Sequence, residues 1–247
     1  MLYLCRRYTA KIQKEQYRMA DHNIERKQIF NFIENLIKNN NREWFQEHKN
    51  EYDIMRKNLD GLVQKLANGL VEIEPKFKFT KSTDYTFRIY RDVRFSKDKS
   101  PYKNHIGIYL INGGRKSPYA GYYVHIQPDA SFIAGGIFRP DAKVLRAIRD
   151  EIYYSQKEFE KVVLDSGFKA TFGNLWDKDK LKRIPRDFPK DSNAAEYLKH
   201  KSFIAMKAFN NNDFVSEGFF ETCMNTFRMI KPLNDYLNNA IALSQED

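Results

Sequence analysis

From Ile24 to Lys38 the apolar residues Ile29, Phe30, Ile33, Leu36 and Ile37 recur at three- and four-residue steps, which predicts an amphipathic helix with one buried face. The run Asn39, Asn40, Asn41 ends it. "NREWF" then opens a second helical stretch, with Asn41 as its cap, running through Tyr52, Met55, Leu59, Leu62, Leu66 and Leu70 to a stop at Pro75. Between Thr86 and Phe138 the period drops to two. "FRIYRDVRF", "IGIYLI", "GYYVHIQ" and "SFIAGGIF" are four strand-like runs broken by "KDKSPYK", "NGGRKSP" and "PDA". These links are too short for the crossover that parallel strands require, so the pattern predicts an antiparallel meander.

Helical signals return after the strands. Pro140 and Asp141 mark a helix start, Ser155 with Glu158 reads as a capping box, and Gly167 reads as its stop. Residues 168–215, with two prolines and many charges, predict irregular chain over the surface with short helical pieces such as "NAAEYLKHK". The tail has apolar spacing through Phe219, Phe220, Met224, Phe227 and Ile230, and Pro232 is expected to begin a separate turn-and-helix unit ending at Leu243. The expected fold class is α+β: an antiparallel meander sheet over about residues 86–138, covered by N-terminal and C-terminal helices. Residues 23–247 are expected to form a single domain, with residues 1–22 an N-terminal extension that is disordered or follows from a start codon placed too early.

Composition narrows the class. Of 247 residues 42% are hydrophobic and 15% aromatic, enough for a sizeable core, and 30% are charged. Cys5 and Cys223 stand at opposite ends of the chain, so neither a disulfide framework nor a zinc site is indicated, and a reducing, cytoplasmic location is expected. No apolar run reaches the roughly 18 residues of a membrane span. The net charge of +10 raises the question of nucleic acid, yet Arg6, Arg7, Lys11, Lys14 and Arg18 against Glu15 place part of the surplus in the N-terminal segment.

The densest charge lies in "RIYRDVRFSKDKSPYKNH", residues 88–105, with seven basic side chains and two carboxylates. Strand alternation puts Phe87, Ile89, Val93 and Phe95 on one face together with Arg91, and Arg88, Tyr90, Asp92, Arg94 and Ser96 on the other. A guanidinium on an apolar face has to meet an acceptor, and a helix carboxylate such as Glu43 or Glu151 is the expected partner. On the polar face Asp92 can bridge Arg88 and Arg94, or all three can be solvated. After Phe95, Ser96, Lys97, Lys99, Ser100 and Lys103 can converge on one anion. The loop lacks the glycine series of a nucleotide fingerprint. Its plain alternative is a solvated charged turn.

His125 lies with Tyr123 and Gln127 on one strand face, opposite Tyr122, Val124 and Ile126. It is either a hydrogen-bonded sheet residue or the candidate catalytic group. His22, His48, His105, His125 and His200 are scattered, so metal chemistry is not expected. A set of Ser96 or Ser100 with His125 and Asp92 is conceivable for nucleophilic catalysis, though no "GxSxG" elbow is present.

"FRIYRDVRFSKDKSPYKNHIG", with "NNREWF" upstream and "GYYVHIQPDASFIAGGIFRPD", "LRAIRDEI" and "LKRIPRDF" downstream, resembles a widespread uncharacterised family, domain of unknown function two-four-six-one, over about Ile29 to Leu243. The family pattern falls on Arg42, Trp44 and Phe45, on Arg88, Arg91, Asp92, Arg94, Phe95, Ser96, Asp98, Lys99, Pro101, Tyr102 and Lys103, and on Tyr123, Pro128, Gly136, Pro140 and Arg149. The resemblance implies that these segments belong together and carries no activity. Trp44 and Phe45 can anchor a helix, and Pro101, Pro128, Gly113, Gly114 and Gly136 can shape turns.

Three functions remain. The first is a basic pocket on the sheet formed by Arg88, Arg91, Arg94, Ser96, Lys99 and Lys103, binding a phosphate-bearing or other anionic small molecule, with catalysis left open. The second is association with nucleic acid through phosphate contacts and stacking tyrosines. The third is a non-catalytic scaffold. Clustering of Arg88, Arg94, Lys99 and Lys103 would favour the first, a long basic stripe the second, and dispersal into separate ion pairs the third. Cofactors and oligomeric state are unknown from sequence.

Overall fold

A computed structural model describes residues 25–246; the expected extension at residues 1–22 lies outside them. In chain order the elements are α1 (Arg26–Lys38), α2 (Arg42–Glu47), α3 (Lys49–Ile73), α4 (Ser82–Tyr85), β1 (Ile106–Leu110), β2 (Gly121–Ile126), β3 (Phe132–Ile137), α5 (Ala142–Tyr154), α6 (Gln156–Val163), α7 (Ser166–Phe172), α8 (Ala195–Leu198), β4 (Phe203–Ala208), α9 (Asn211–Val215) and α10 (Phe219–Glu246). The strands form one antiparallel sheet in the order β1-β2-β3-β4. Helices from both ends of the chain cover it, as an α+β class requires.

Alternation divides the sheet. Ile106, Ile108, Leu110, Tyr122, Val124, Ile126, Ile133, Ile137, Phe203 and Ala205 are buried on the core side. Here α10 lies against β3. A Cβ on Gly135 would fall 2.2 Å from Ile230 Cγ2, so glycine is what lets the helix rest this close to the strand. Helix α3 packs on α1 and α10, and its Leu59, Leu62, Leu66 and Leu70 are almost wholly buried. Each such side chain contributes roughly 1.5–3 kcal/mol through apolar area removed from water.

Several local expectations hold. Asn41 accepts from the Trp44 amide at 2.8 Å and starts α2, and Asp141 accepts from the Val144 amide at 2.9 Å and starts α5. Others need correction. The second helical stretch is broken at His48 into α2 and α3. Ser155 makes no side-chain cap, and Asp165 caps α7 instead, so Gly167 lies inside a helix rather than ending one. Pro232 does not divide the tail: α10 runs through it. The helix-breaking cost of about 3 kcal/mol is offset by burial on both sides of the proline, where Phe227, Ile230, Leu233, Leu237 and Ile241 are all fully buried.

The larger correction concerns the sheet itself. "FRIYRDVRF" is not a strand: Thr86, just before it, makes an isolated bridge to Ile108 of β1, and within it only Tyr90 makes a bridge, to Tyr102 further along the loop. Of the residues expected on its apolar face Ile89 is buried, but Phe87 is 39% and Phe95 97% exposed, so too little buried surface holds the segment extended. The fourth strand comes instead from the region expected to be irregular. β4 pairs with β3 from Phe132 to Ala208 through Ile137 to Phe203, satisfying backbone groups that would otherwise leave a bare edge.

Candidate functional site

The basic stretch forms a loop with a narrow neck. The Arg91 amide donates to the Pro101 carbonyl at 2.9 Å and the Lys103 amide to the Ile89 carbonyl at 2.8 Å. Within the loop the Arg91 guanidinium pairs with Asp98 and donates to the Ser100 carbonyl at 3.2 Å and Ser96 Oγ at 3.4 Å. Its partner is therefore Asp98, seven residues along, rather than Glu43 or Glu151; without a strand to place it on a buried face, the side chain turns into its own loop. Ser100 hydrogen bonds and then Arg91 hold the Asp98 carboxyl at about 2. Arg94 grips Asp92 with two hydrogen bonds, at 2.9 and 2.7 Å. That contact lowers the pKa of Asp92 and raises that of Arg94. Lys99 Nζ donates to the Val93 carbonyl at 3.0 Å. Thus Arg91, Arg94, Ser96 and Lys99 all have acceptors or donors inside the loop.

The neck delivers Lys103 to the sheet face that α10 does not cover, with the exposed Arg88 close enough to act on both Lys103 and Asp92. On that face Tyr109 stands opposite Tyr123, and Gly107 opposite His125. A Cβ on Gly107 would lie 2.6 Å from the Tyr123 hydroxyl and 3.0 Å from the Phe87 ring, so the glycine makes room for both rings to meet over β1. The Tyr123 hydroxyl is 2.9 Å from His125 Nδ1, and His125 Nε2 is 3.0 Å from Gln127 Oε1. With the amide oxygen accepting, Nε2 carries the proton and Nδ1 accepts from Tyr123. His125 is further stacked between His105 and Phe132, with ring centroids 4.4 and 4.5 Å away.

Charge at this place is one-sided. Lys103 Nζ lies 5.5 Å and the Arg115 guanidinium 5.0 Å from the centre of the Phe87 ring. Lys103 donates to the Arg88 carbonyl, and Arg115 to the carbonyls of Asp84 and Thr83. These acceptors are neutral, and among the described residues none of Arg88, Lys103 and Arg115 forms an ion pair. Burial, then Arg88 and Arg115, lower the pKa of Lys103. Burial, then His125 and Lys103, bring His105 down to about 4, and burial lowers His125 against the opposing hydrogen bond from Gln127. Tyr123 is pushed up to about 12 by burial. At neutral pH the face therefore presents neutral imidazoles and phenols beside three cations.

Of the residues singled out from the sequence, the structure brings Lys103 and His125 toward one face, with Arg88 near Lys103, and keeps Arg91, Arg94, Ser96 and Lys99 within the loop. Ser100 hydrogen-bonds to Asp98 and Ser96 to Arg91, while His125 bonds to Tyr123 and Gln127, so the serine–histidine set does not assemble. Sequence reasoning missed Arg115, Phe87, Tyr109 and His105. Arg115 follows two glycines in "NGGRKSP", where a turn signal hid a side chain that reaches back to α4. Among the described residues no three His, Cys, Asp or Glu come together as metal ligands, and no helix is long and apolar enough to cross a membrane.

A family described as "Conserved hypothetical protein (DUF2461)" matches residues 28–236. The chain belongs to this family. No curated protein and no solved structure matches it. The DUF2461 span contains the loop, the sheet and the three cations around Phe87 in full, so the candidate site belongs to the family portion of the chain.

Proposed function

We propose that this DUF2461 chain binds a phosphate-bearing or other anionic small molecule where the neck of the basic loop meets the open sheet face, with Arg88, Lys103 and Arg115 as its charge contacts. The observation that carries this reading is the gathering of Lys103 and Arg115 over Phe87, each bonded to backbone carbonyls and neither paired with a carboxylate, with Arg88 close to Lys103. Like charges held together at a half-buried place repel, and an anion relieves the repulsion. Arg91, Arg94, Ser96 and Lys99 give the loop its shape in this reading and come to the anion only if the loop opens. Should the ligand be turned over, His125 is the candidate to move a proton, through the Tyr123 hydroxyl that donates to its Nδ1. A cytoplasmic setting belongs to the same reading, supported by the free, buried thiol of Cys223.

A thermal-shift and calorimetric series with pyrophosphate and mononucleotides tests this directly. A ligand at about 100 times its Kd should stabilise the wild type by about 2.7 kcal/mol. The K103Q/R115Q variant should lose that stabilisation, and K99Q should keep it. Equal stabilisation of wild type and K103Q/R115Q would refute the reading.

One observation favours nucleic acid as the second reading. Phe95 is 97% exposed at the loop tip, with Arg94 over its ring at 5.9 Å, an arrangement able to stack on an unpaired base. Single-stranded oligonucleotide binding that falls steeply with salt, is lost in Phe95→Ala and survives removal of residues 1–18 would select it.

A further inference from the structure

The sheet face turned away from α10 breaks the usual rule for an antiparallel sheet, whose solvent side is polar. The register aligns Tyr109, Tyr123, Ala134 and Met206 as one row across the four strands, with Phe132 and Ile204 on the rows to either side. No strand position pointing this way is charged. Tyr109, Tyr123, Phe132, Ile204 and Met206 are each only partly buried, so apolar surface stays open to water. The polar atoms of the face are already engaged. The Tyr109 hydroxyl donates to the Tyr119 carbonyl at 3.2 Å, and His125 bonds to Tyr123 and Gln127. What the face offers a ligand is apolar contact rather than hydrogen bonds.

One margin of this face is cationic. Phe87 stands edge-on to Tyr123, with ring centroids 6.4 Å apart, and Lys103 and Arg115 lie over the Phe87 ring with neutral carbonyls as their acceptors. A second copy docking through the same face would bring more cations, and the strands place no carboxylate here to meet them. A wholly apolar ligand would leave Lys103 and Arg115 as they are. From β1 to β4 is three strand spacings, about 14 Å, the length of an extended chain of about ten carbons. Apolar surface continues to the end of that span. There the Trp176 amide donates to the Ile204 carbonyl at 2.8 Å, and the Trp176 ring lies 5.7 Å from that of Phe138, which is 59% exposed.

We propose that the anion held at Lys103 and Arg115 is an amphiphile, a carboxylate or phosphate head on an aliphatic chain of about ten carbons that lies across Tyr123 to Met206. The inference rests on the anion reading above and adds the tail. A methylene laid on an open face is covered on one side only and gains about half of what full burial gives, so affinity rises about twofold for each one added.

The test is calorimetric titration of the full chain with two pairs of probes, hexanoate and decanoate, and hexyl and decyl phosphate, each below its micelle concentration. In the pair whose head is accepted, the longer chain should bind about tenfold or more tightly than the shorter. K103Q/R115Q should lose both members of that pair, and I204N/M206Q should lose only the advantage of the longer one. NMR should show the end methyl of the decyl chain in contact with the Met206 methyl, and this carries the test if I204N/M206Q does not fold. Binding of pyrophosphate with no dependence on chain length in either pair would overturn the tail and leave the anion reading standing. Long-chain binding undiminished in K103Q/R115Q would overturn the anion reading and this inference with it.

Discussion

Acidification from pH 7 to pH 4 should destabilise this protein progressively, and buried histidine is the reason. His200 is 5% exposed and held at about 4, whereas an unfolded chain gives it its ordinary 6.5. Between those values the unfolded state takes up a proton that the folded state refuses, so stability is full above about pH 6.5 and is lost as pH falls toward 4. At about 1.4 kcal/mol per pH unit the full separation is worth about 3 kcal/mol, and relaxation around the charged ring reduces it to about 2. His105 is also brought to about 4 and is more open to solvent, so its share after screening is about 1 kcal/mol. The two together remove about 3 kcal/mol, a large part of the 5–15 typical of a folded domain.

Urea unfolding at half-unit pH steps measures this, with His200→Gln as the control that cannot titrate. The wild type should lose stability across the window, and His200→Gln should lose distinctly less. NMR titration should show the His200 ring still neutral at pH 5.5. Stability that is flat from pH 7 to 4.5, or a slope unchanged in His200→Gln, would refute the argument by showing that water reaches the ring and the folded state accepts the proton.

Gly136→Ala should cost at least about 3 kcal/mol in denaturant unfolding, since an L residue in the left-handed region and an overpacked contact each cost about 1–3; φ is +111° and the new Cβ would lie 1.9 Å from the Phe203 carbonyl oxygen. Tyr123→Phe removes a hydrogen bond donated to the neutral form of His125, so the histidine's NMR pKa should rise toward its ordinary value. Arg91→Met should leave the melting temperature of the core nearly unchanged, because the partner Asp98 is exposed, while hydrogen exchange of the Arg91 and Lys103 amides at the loop neck accelerates.

The parts of the fold written in local chemistry were legible. Asn41 and Asp141 announced their helices because a cap needs only its own next three residues. Period two announced β1, β2 and β3 and put Tyr123, His125 and Gln127 on a common face. What was not legible depends on distant partners. "FIAMKA" becomes β4 because β3 offers an unpaired edge some seventy residues earlier in the chain. "FRIYRDVRF" alternates like a strand but is paired only at its neck, around Tyr90, and its charges close on one another beyond it. Pro232 reads as a break until the burial of α10 on either side is known. The site divided along the same line: His125 and Lys103 carried local signals, whereas Arg115 joins them only because its turn docks on the Thr83 and Asp84 carbonyls.

The loop's composition explains where its free charge ends up. It holds two carboxylates among six lysines and arginines, and each carboxylate takes the arginine that short chain closure brings to it: Asp92 takes Arg94, two residues away, and Asp98 takes Arg91, seven away. Closing such short loops costs little entropy, so these pairs form ahead of any to a distant helix. Once Asp92 and Asp98 have taken Arg94 and Arg91, the remaining cations form no ion pair within the segment, and Arg88 feels Asp92 only at a distance. Two of them, Arg88 and Lys103, stand at the neck, where the Ile89 and Arg91 backbone pairing with Lys103 and Pro101 fixes them against the sheet. The same internal pairing that makes most of the basic stretch a self-contained structural loop thus delivers its unneutralised remainder to Phe87 and Arg115. Scaffold and binding site are consequences of one charge count, and the small number of acids decides which cations serve which.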